Sequence, residues 1–257
     1  MPGEYEFLEV GIADGIATVT LNRPPVNVMH IAMMAELNSL LESVLADVNL
    51  GAIVIRANGK AFCAGVDVAD HTADKVGEMI AQFHGIFRKL AATDALTIAV
   101  VDGAALGGGC ELATFCDIVL ASERAKFGQP EVQVGVLPPV AACALPVQIG
   151  IRKAIELNAI GSTIKADEAQ RIGLVNQVYP VDGFDAAVDE YLTQIRKLSR
   201  PVVRMAKRAT AMRTREQILD HLKDVEKLYL KELMKLSDAH EGIAAFVEKR
   251  SPRWKHT

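Results

Sequence analysis

The chain has little of what would take it out of the ordinary globular class. No apolar run reaches the roughly 18 to 20 residues that a membrane-crossing helix needs. The amino-terminal stretch MPGEYEFLEV has neither the basic start nor the apolar run of a secretory leader. The sequence therefore predicts a cytoplasmic protein. Cysteine is scarce: Cys63, Cys110, Cys116 and Cys143 form no CxxC pair and have apolar neighbours, which predicts buried reduced thiols and no disulfide or metal site. His30, His71, His84, His221, His240 and His256 are scattered without HxxxH spacing, which also speaks against a metal centre. A net charge of −4 offers no global attraction to nucleic acid or to anionic membranes. The common phosphate signatures are missing too, with neither a GxGxxG followed by an acid nor a GxxxxGK[ST]. No internal repeat or low-complexity stretch is present.

What remains is a 257-residue chain that is 50% hydrophobic and 23% charged, enough for one large domain or for a core with an appendage. GIATVTLN (15–22), LGAIVIRAN (50–58), LTIAVVDGAA (96–105) and CDIVLAS (116–122) are β-branched apolar runs that read as buried strands. Between the first three lie helical patterns at 31–48 and 74–92, so strand and helix alternate in an α/β core. Beyond about residue 150 short helices are expected, and from Asp185 the chain is nearly all helical and rich in charge. These features divide the chain into an α/β core, 1–184, and a helical region, 185–257, whose last apolar stretch with Phe246 and Trp254 packs on the core or on a neighbouring subunit. Met29, Met33 and Met34 are assigned to the core.

GGGCELATFCD (107–117) sets Glu111 directly behind three glycines and among apolar residues. Glycines at a helix N-terminus leave unpaired N–H groups open to a bound oxygen. They also let a helix pack tightly on a strand with Glu111 turned to solvent. Both readings stand at this point.

Three segments in order, KAFCAGVDV (60–68), DGAALGGGCELA (102–113) and AKFGQPEVQVGVLP (125–138), resemble the crotonase superfamily of enoyl-CoA hydratases and isomerases, and the likeness runs from TLNRP at 20–24 to GLVNQVYP at 173–180. The resemblance implies an α/β spiral of ββα turns with a C-terminal helical region for oligomerisation into trimers or hexamers. It implies a CoA thioester as substrate, with no separate cofactor. The backbone N–H groups of Ala64 and Gly108 would hold the thioester oxygen as it becomes an enolate. Glu111 would take the proton of the attacking water, and Glu131 would protonate carbon. Retention of both carboxylates favours hydration over double-bond isomerisation. Around the acyl-CoA the resemblance places Arg23, Cys63, Asp67, Val68, His71, Pro139 and Val140, with His71 on the loop that approaches the acyl group. NRP at 22–24 reads equally well as a strand end and turn.

PPVAACALP (138–146) departs from the family's glycine-rich segment. The family glycine whose N–H helps hold the catalytic water aligns with Pro139, which has no N–H. Val140 to Cys143 are expected to make this wall bulkier and apolar. With RPPVNVMHIAMM (23–34), the segment is similar to cyclohexa-1,5-diene-1-carbonyl-CoA hydratases, whose reaction yields the 6-hydroxycyclohex-1-ene-1-carbonyl thioester. General 2-enoyl-CoA hydration and 3,2-isomerisation are the neighbouring alternatives. A reading of another class rests on Arg196, Lys197, Arg200, Arg204, Lys207, Arg208, Arg213 and Arg215, a basic run without an intervening acid, as in an RNA-binding relative. The negative overall charge, the lack of aromatics in the run and the intact carboxylate pair count against it, and a solvated helix face with some CoA phosphate contacts is the expected state.

Overall fold

The computed structural model describes residues 5–257; the first four residues of the stretch MPGEYEFLEV, on which no leader is expected, lie outside the described residues. Six strands, β1 (Leu8–Ala13), β2 (Ile16–Leu21), β3 (Ala52–Ala57), β5 (Leu96–Val101), β7 (Ile118–Ser122) and β10 (Gln177–Tyr179), form one sheet in that order. A smaller sheet holds β4 (Ala61–Cys63), β6 (Ala104–Leu106), β8 (Lys126–Gly128) and β9 (Thr163–Lys165). The chain winds as a spiral of ββα turns. Each of β3–β4, β5–β6 and β7–β8 leaves one strand in the large sheet and one in the small. The helices α1 (Ile31–Leu45), α2 (Val76–Ala92) and α3 (Gly108–Phe115) follow β2, β4 and β6.

The sequence pattern explains the layering. In β3, Ile53 and Ile55 face the main core while Ala52 and Val54 face the other side of the sheet; Ala99 and Val101 of β5 oppose Ile98 and Val100 in the same way. A sheet buried on both faces needs continuous apolar runs. In α1 the buried residues Met33, Met34, Leu37, Leu40, Leu41 and Val44 recur at three- and four-residue steps, as do Val76, Met79, Ile80, Phe83, Phe87 and Leu90 of α2. Those stripes cover the inner face. The outer face is covered by Phe184, Val188 and Leu192 of α7 (Phe184–Arg196).

The run 96–105 is two strands, not one. Gly103 has φ +97°, and a Cβ there would lie 2.5 Å from the Lys60 carbonyl oxygen, so the chain turns at Asp102–Gly103 and leaves the large sheet for the small one. The strands β4, β8, β9 and β10, of three residues each, carry too few residues for a periodic signal, and β1 lies at the sheet edge with most of its residues exposed. After them, α4 (Pro139–Ile149), α5 (Ile151–Ile160) and α6 (Ala166–Arg171) precede the tail helices α7, α8 (Arg200–Lys231) and α9 (Ser237–Val247).

Packing shows no seam at 184/185. α7 begins at Phe184, and Ile218, Leu222, Val225, Tyr229 and Ile243 of the tail join the same apolar cluster as Met33, Phe62 and Leu112. Its basic run is not a solvated face. Arg204 donates to the Leu50 carbonyl at 3.1 Å, and Arg208 pairs with Asp94. Lys207, 7% exposed, lies 2.8 Å from Asp117, which also receives Arg215. Four of the eight cations are therefore held on the core, while Lys197, Arg200 and Arg213 stay exposed, so the continuous basic face on which the RNA-binding reading rested is broken up.

Candidate active site

Glu111 sits in the first turn of α3, buried with 2% exposure. The glycines before it are required by close approach. A Cβ on Gly109 would lie 2.2 Å from the Cys63 carbonyl oxygen, and one on Gly108 would lie 2.7 Å from Val66 Cγ2. Gly107, at φ +53°, brings its Cα under the Glu131 carboxylate, with Oε1 only 2.8 Å from where a Cβ would stand. Both meanings of the triplet are therefore present together. It packs the helix tightly, and it turns Glu111 inward rather than to solvent.

Glu111 Oε1 accepts the Ala141 N–H at 2.7 Å. Ala141 is in the first turn of α4, whose N1 position is Pro139, so the carboxylate caps a helix N-terminus. Burial pushes the Glu111 carboxyl up from its ordinary range, against the pull of the Ala141 and Val140 N–H groups. Glu131 lies on the 3-10 turn Pro130–Val134. Its carboxyl is raised first by burial and then by the charge of Glu111. Two carboxylates that each disfavour the other's charge tend to hold one proton between them. The fully buried Gln129, with its amide turned to donate, is 3.3 Å from both the Gly107 carbonyl and Glu131 Oε1.

Both carboxylates line a cavity of about 380 Å³ with Val66, Gly108, Phe83 and Pro139; Val68 and His71 lie on its loop side, and Tyr229, Ile243 and Phe246 on its tail side. Its size and apolar lining suit a small acyl group. His71 is buried and its Nδ1 is 3.0 Å from the Asp67 carbonyl oxygen. A carbonyl only accepts, so Nδ1 carries the proton and Nε2 is an acceptor when the ring is neutral. Burial lowers the His71 pKa and favours that neutral form.

Not every residue expected at the site is in this lining. Ala64 borders the cavity, but its N–H donates to the Val26 carbonyl at 2.9 Å, so it has no donor left for a ligand. Two residues on, the parallel bridge to Met29 uses the Gly65 carbonyl and the Asp67 N–H, and no described residue accepts the N–H of Val66 between them. The Gly108 N–H, first in α3, has no acceptor in its own helix. Cys63 and Val140 are fully buried in the core, outside the lining, and burial pushes the Cys63 thiol up to about 12. Asp67 caps the turn Val68–His71 by accepting the Ala69 N–H, and Arg23 donates to the Val28 carbonyl, so both serve local structure. Of the expected wall 139–143 only Pro139 reaches the cavity, because α4 turns Val140, Ala141 and Cys143 into the core.

Val66, Phe83, Gln129, Tyr229, Ile243 and Phe246 were not read from the sequence as site residues. Ile218, Leu222, Val225 and Tyr229 do recur at helical spacing, which marks a buried face but not the cavity it meets. Among the described residues no group of acidic, histidine or cysteine side chains has the arrangement of a metal site, and no helix is long and apolar enough to cross a membrane.

Comparison with known proteins agrees with this geometry. The chain is 38% identical over 255 residues to a probable enoyl-CoA hydratase of Mycobacterium bovis, covering 98% of this chain and 99% of that one. It is 36% identical over 236 residues to the cyclohexa-1,5-dienecarbonyl-CoA hydratase of Thauera aromatica, covering 92% and 91%. The crystal structure of an enoyl-CoA hydratase from Mycobacterium avium subsp. paratuberculosis superposes with a TM-score of 0.89 at 28% identity, over 98% of this chain and all of the other. Residues 11–257 match the family described as enoyl-CoA hydratase/isomerase, and with the buried Glu111 and the half-buried Glu131 facing one apolar cavity at the glycine-built start of α3, this chain belongs to that family.

Proposed function

We propose that this chain adds water across the double bond of an α,β-unsaturated acyl-CoA, and that the acyl group is the cyclohexa-1,5-diene-1-carbonyl ring. The observation that carries the hydration is the pairing of Glu111 and Glu131 in one desolvated cavity, where burial raises both carboxyls and the charge of Glu111 raises that of Glu131 further. In the working state Glu111 is ionised, favoured by the Ala141 N–H, and Glu131 holds the shared proton. Water gives a proton to Glu111 as its oxygen bonds the β-carbon. The π electrons move onto the thioester oxygen to form an enolate, and Glu131 delivers its proton to carbon as the carbonyl re-forms. In the cyclic diene that carbon is the far end of the conjugated system, and the product is the 6-hydroxycyclohex-1-ene-1-carbonyl thioester. The enolate oxygen is held by the Val66 and Gly108 N–H groups, which replaces the pair expected from the sequence. Donors fixed where charge develops contribute about 3 to 4 kcal/mol each. CoA enters as part of the substrate, so the reaction needs no further cofactor.

The ring is supported by Pro139, which lines the cavity beside Glu111 without an N–H, and by the apolar lining of Phe83, Val66 and Ile243. A rigid ring loses little torsional freedom on binding. The straight-chain reading is favoured by a separate observation: Val140 to Cys143 leave the cavity and do not thicken its wall. Measuring kcat/KM for cyclohexa-1,5-diene-1-carbonyl-CoA and crotonyl-CoA in parallel separates the two. Fit alone predicts a preference for the ring of roughly 10- to 200-fold; equal values or a preference for crotonyl-CoA return the enzyme to general 2-enoyl-CoA hydration, and hydration of neither removes the proposal. We also propose that the protein works in the cytoplasm and assembles as a trimer or hexamer; light scattering that gives a monomer of 27.7 kDa would overturn the assembly.

A further inference from the structure

The attacking water must be oriented as well as deprotonated. A water held in a cavity makes about three hydrogen bonds. Here one O–H points at Glu111 and one lone pair must face the β-carbon, which leaves a place for a donor to the second lone pair. The helix α4 would ordinarily present its N1 N–H at this point, but Pro139 occupies N1 and has none. The next N–H groups, of Val140 and Ala141, are spent on Glu111 itself.

The polar side chains that line the cavity are few: His71, Glu111, Glu131, Gln133 and Tyr229. His71 uses its proton on the Asp67 carbonyl and offers the cavity an acceptor. Gln133 is turned away to the Gly161 carbonyl at 3.1 Å. Tyr229 alone keeps an uncommitted O–H: the residue is 1% exposed, lines the cavity, and among the described residues none is hydrogen-bonded to its hydroxyl. Buried tyrosine hydroxyls normally find a partner. The two carboxylates are near enough to raise its pKa, after burial itself, yet neither accepts its proton, and it stays a neutral donor across the working pH range.

We propose that the Tyr229 hydroxyl donates the hydrogen bond that holds the attacking water against Glu111, in the place where Pro139 offers no N–H. This role rests on the hydration proposed above. It makes a residue of the C-terminal helix α8 a catalytic residue, touching the reacting water rather than the acyl group.

The test compares two reactions of the same site. Hydration of an unsaturated ester needs the water. Exchange of the α-proton of a saturated ester with deuterated solvent needs only the carboxylates and the enolate donors. Crotonyl-CoA with butyryl-CoA, and the cyclic diene ester with cyclohexanecarbonyl-CoA, are the matched pairs, and the pair that wild type turns over faster is used. Tyr229→Phe keeps the ring and its packing. The ratio of hydration to exchange is expected to fall at least about tenfold, the upper range for one lost hydrogen bond, with exchange within threefold of wild type. A ratio within threefold of wild type overturns the role, whether both rates hold or both fall together, and because both rates come from one sample the ratio is insensitive to the folded fraction. A wild-type enzyme that hydrates neither ester removes the proposed function and this role with it; one that hydrates while Tyr229→Phe leaves the ratio unchanged removes only the role of Tyr229.

Discussion

The cavity has two walls built by different means. The core wall, Val66 with Gly107 to Glu111, is made within the spiral: backbone meets backbone at distances that only glycine allows, and one helix start fixes both a carboxylate and a free N–H. The tail wall, Tyr229, Ile243 and Phe246, comes from helices more than a hundred residues away in sequence, carried in by cations clamped on core carbonyls and aspartates and by the apolar face from Ile218 to Tyr229. The first wall tolerates no added atom. The second depends on how a long helix is docked, which sets the place of Tyr229 and leaves the carboxylates and the Gly108 N–H where the spiral puts them.

Predictions follow from that contrast, beginning with the strongest. Glu111→Gln and Glu131→Gln each lower hydration by at least about 10²-fold while CoA ester binding persists. The double variant loses far less than the product of the two, because they share one proton inventory; steady-state kinetics of the three variants checks both statements, and additive losses would mean separate roles. On the tail side, Lys207→Ala leaves the largely buried Asp117 with one of its two cationic partners gone. A broken buried pair costs about 3 kcal/mol, seen as a lower urea midpoint. If the walls are coupled only through docking, the protein that remains folded keeps most of its kcat.

Gly109→Ala attacks the core wall instead. The new methyl would meet the Cys63 carbonyl at 2.2 Å, and backbone on both sides leaves no flexible atom to move aside. Overpacking of this kind costs about 1 to 3 kcal/mol, and here kcat falls with stability because Glu111 and the Gly108 N–H shift together. A Gly109→Ala enzyme of normal kcat would break the comparison.

The carboxylate pair also makes stability depend on pH. Both groups have folded-state pKa values raised above the ordinary range, so the folded protein binds protons more tightly than the unfolded chain, and stability falls as pH rises from about 4.5 through the raised values. Glu131→Gln removes that cost. It melts higher than wild type at pH 8, by roughly 4 °C for 1 to 2 kcal/mol in a chain of this size, and the gain vanishes near pH 4.5. A gain that grows toward acid would show that the pair is not strained by charge. The smallest effect is at the rim: Phe246, 57% exposed, gives up little packing on change to Ala, and we expect KM to rise about twofold to fivefold with kcat unchanged.

Much of the core wall was legible in the sequence. A glycine triplet, a carboxylate three residues into a helix and a second carboxylate after QP are local chemistry within a few residues, and the apolar runs of β2, β3, β5 and β7 declare strands buried on both faces. The Ala64 assignment failed because residue spacing does not say which N–H of the run 64–67 is spent within the fold, and Gly65, at φ +113°, turns the backbone between Ala64 and Val66. Which of them is spent depends on where Val26 and Met29 lie. Val140 to Cys143 were misplaced for a related reason: a run of apolar residues says that it is buried but not which side of its helix meets core and which meets cavity.

By itself the sequence determined the family, the two carboxylates that meet in the cavity, the buried thiols and the alternation of strand and helix, because each follows from residue type and short-range spacing. Only the tertiary structure decided that Arg204, Lys207, Arg208 and Arg215 of α8 bind the protein's own core, that Ala64 is occupied while Val66 is open, and that Tyr229 stands in the cavity. Those outcomes depend on contacts between residues distant in sequence, where burial and the satisfaction of each polar group are settled by the whole packed chain.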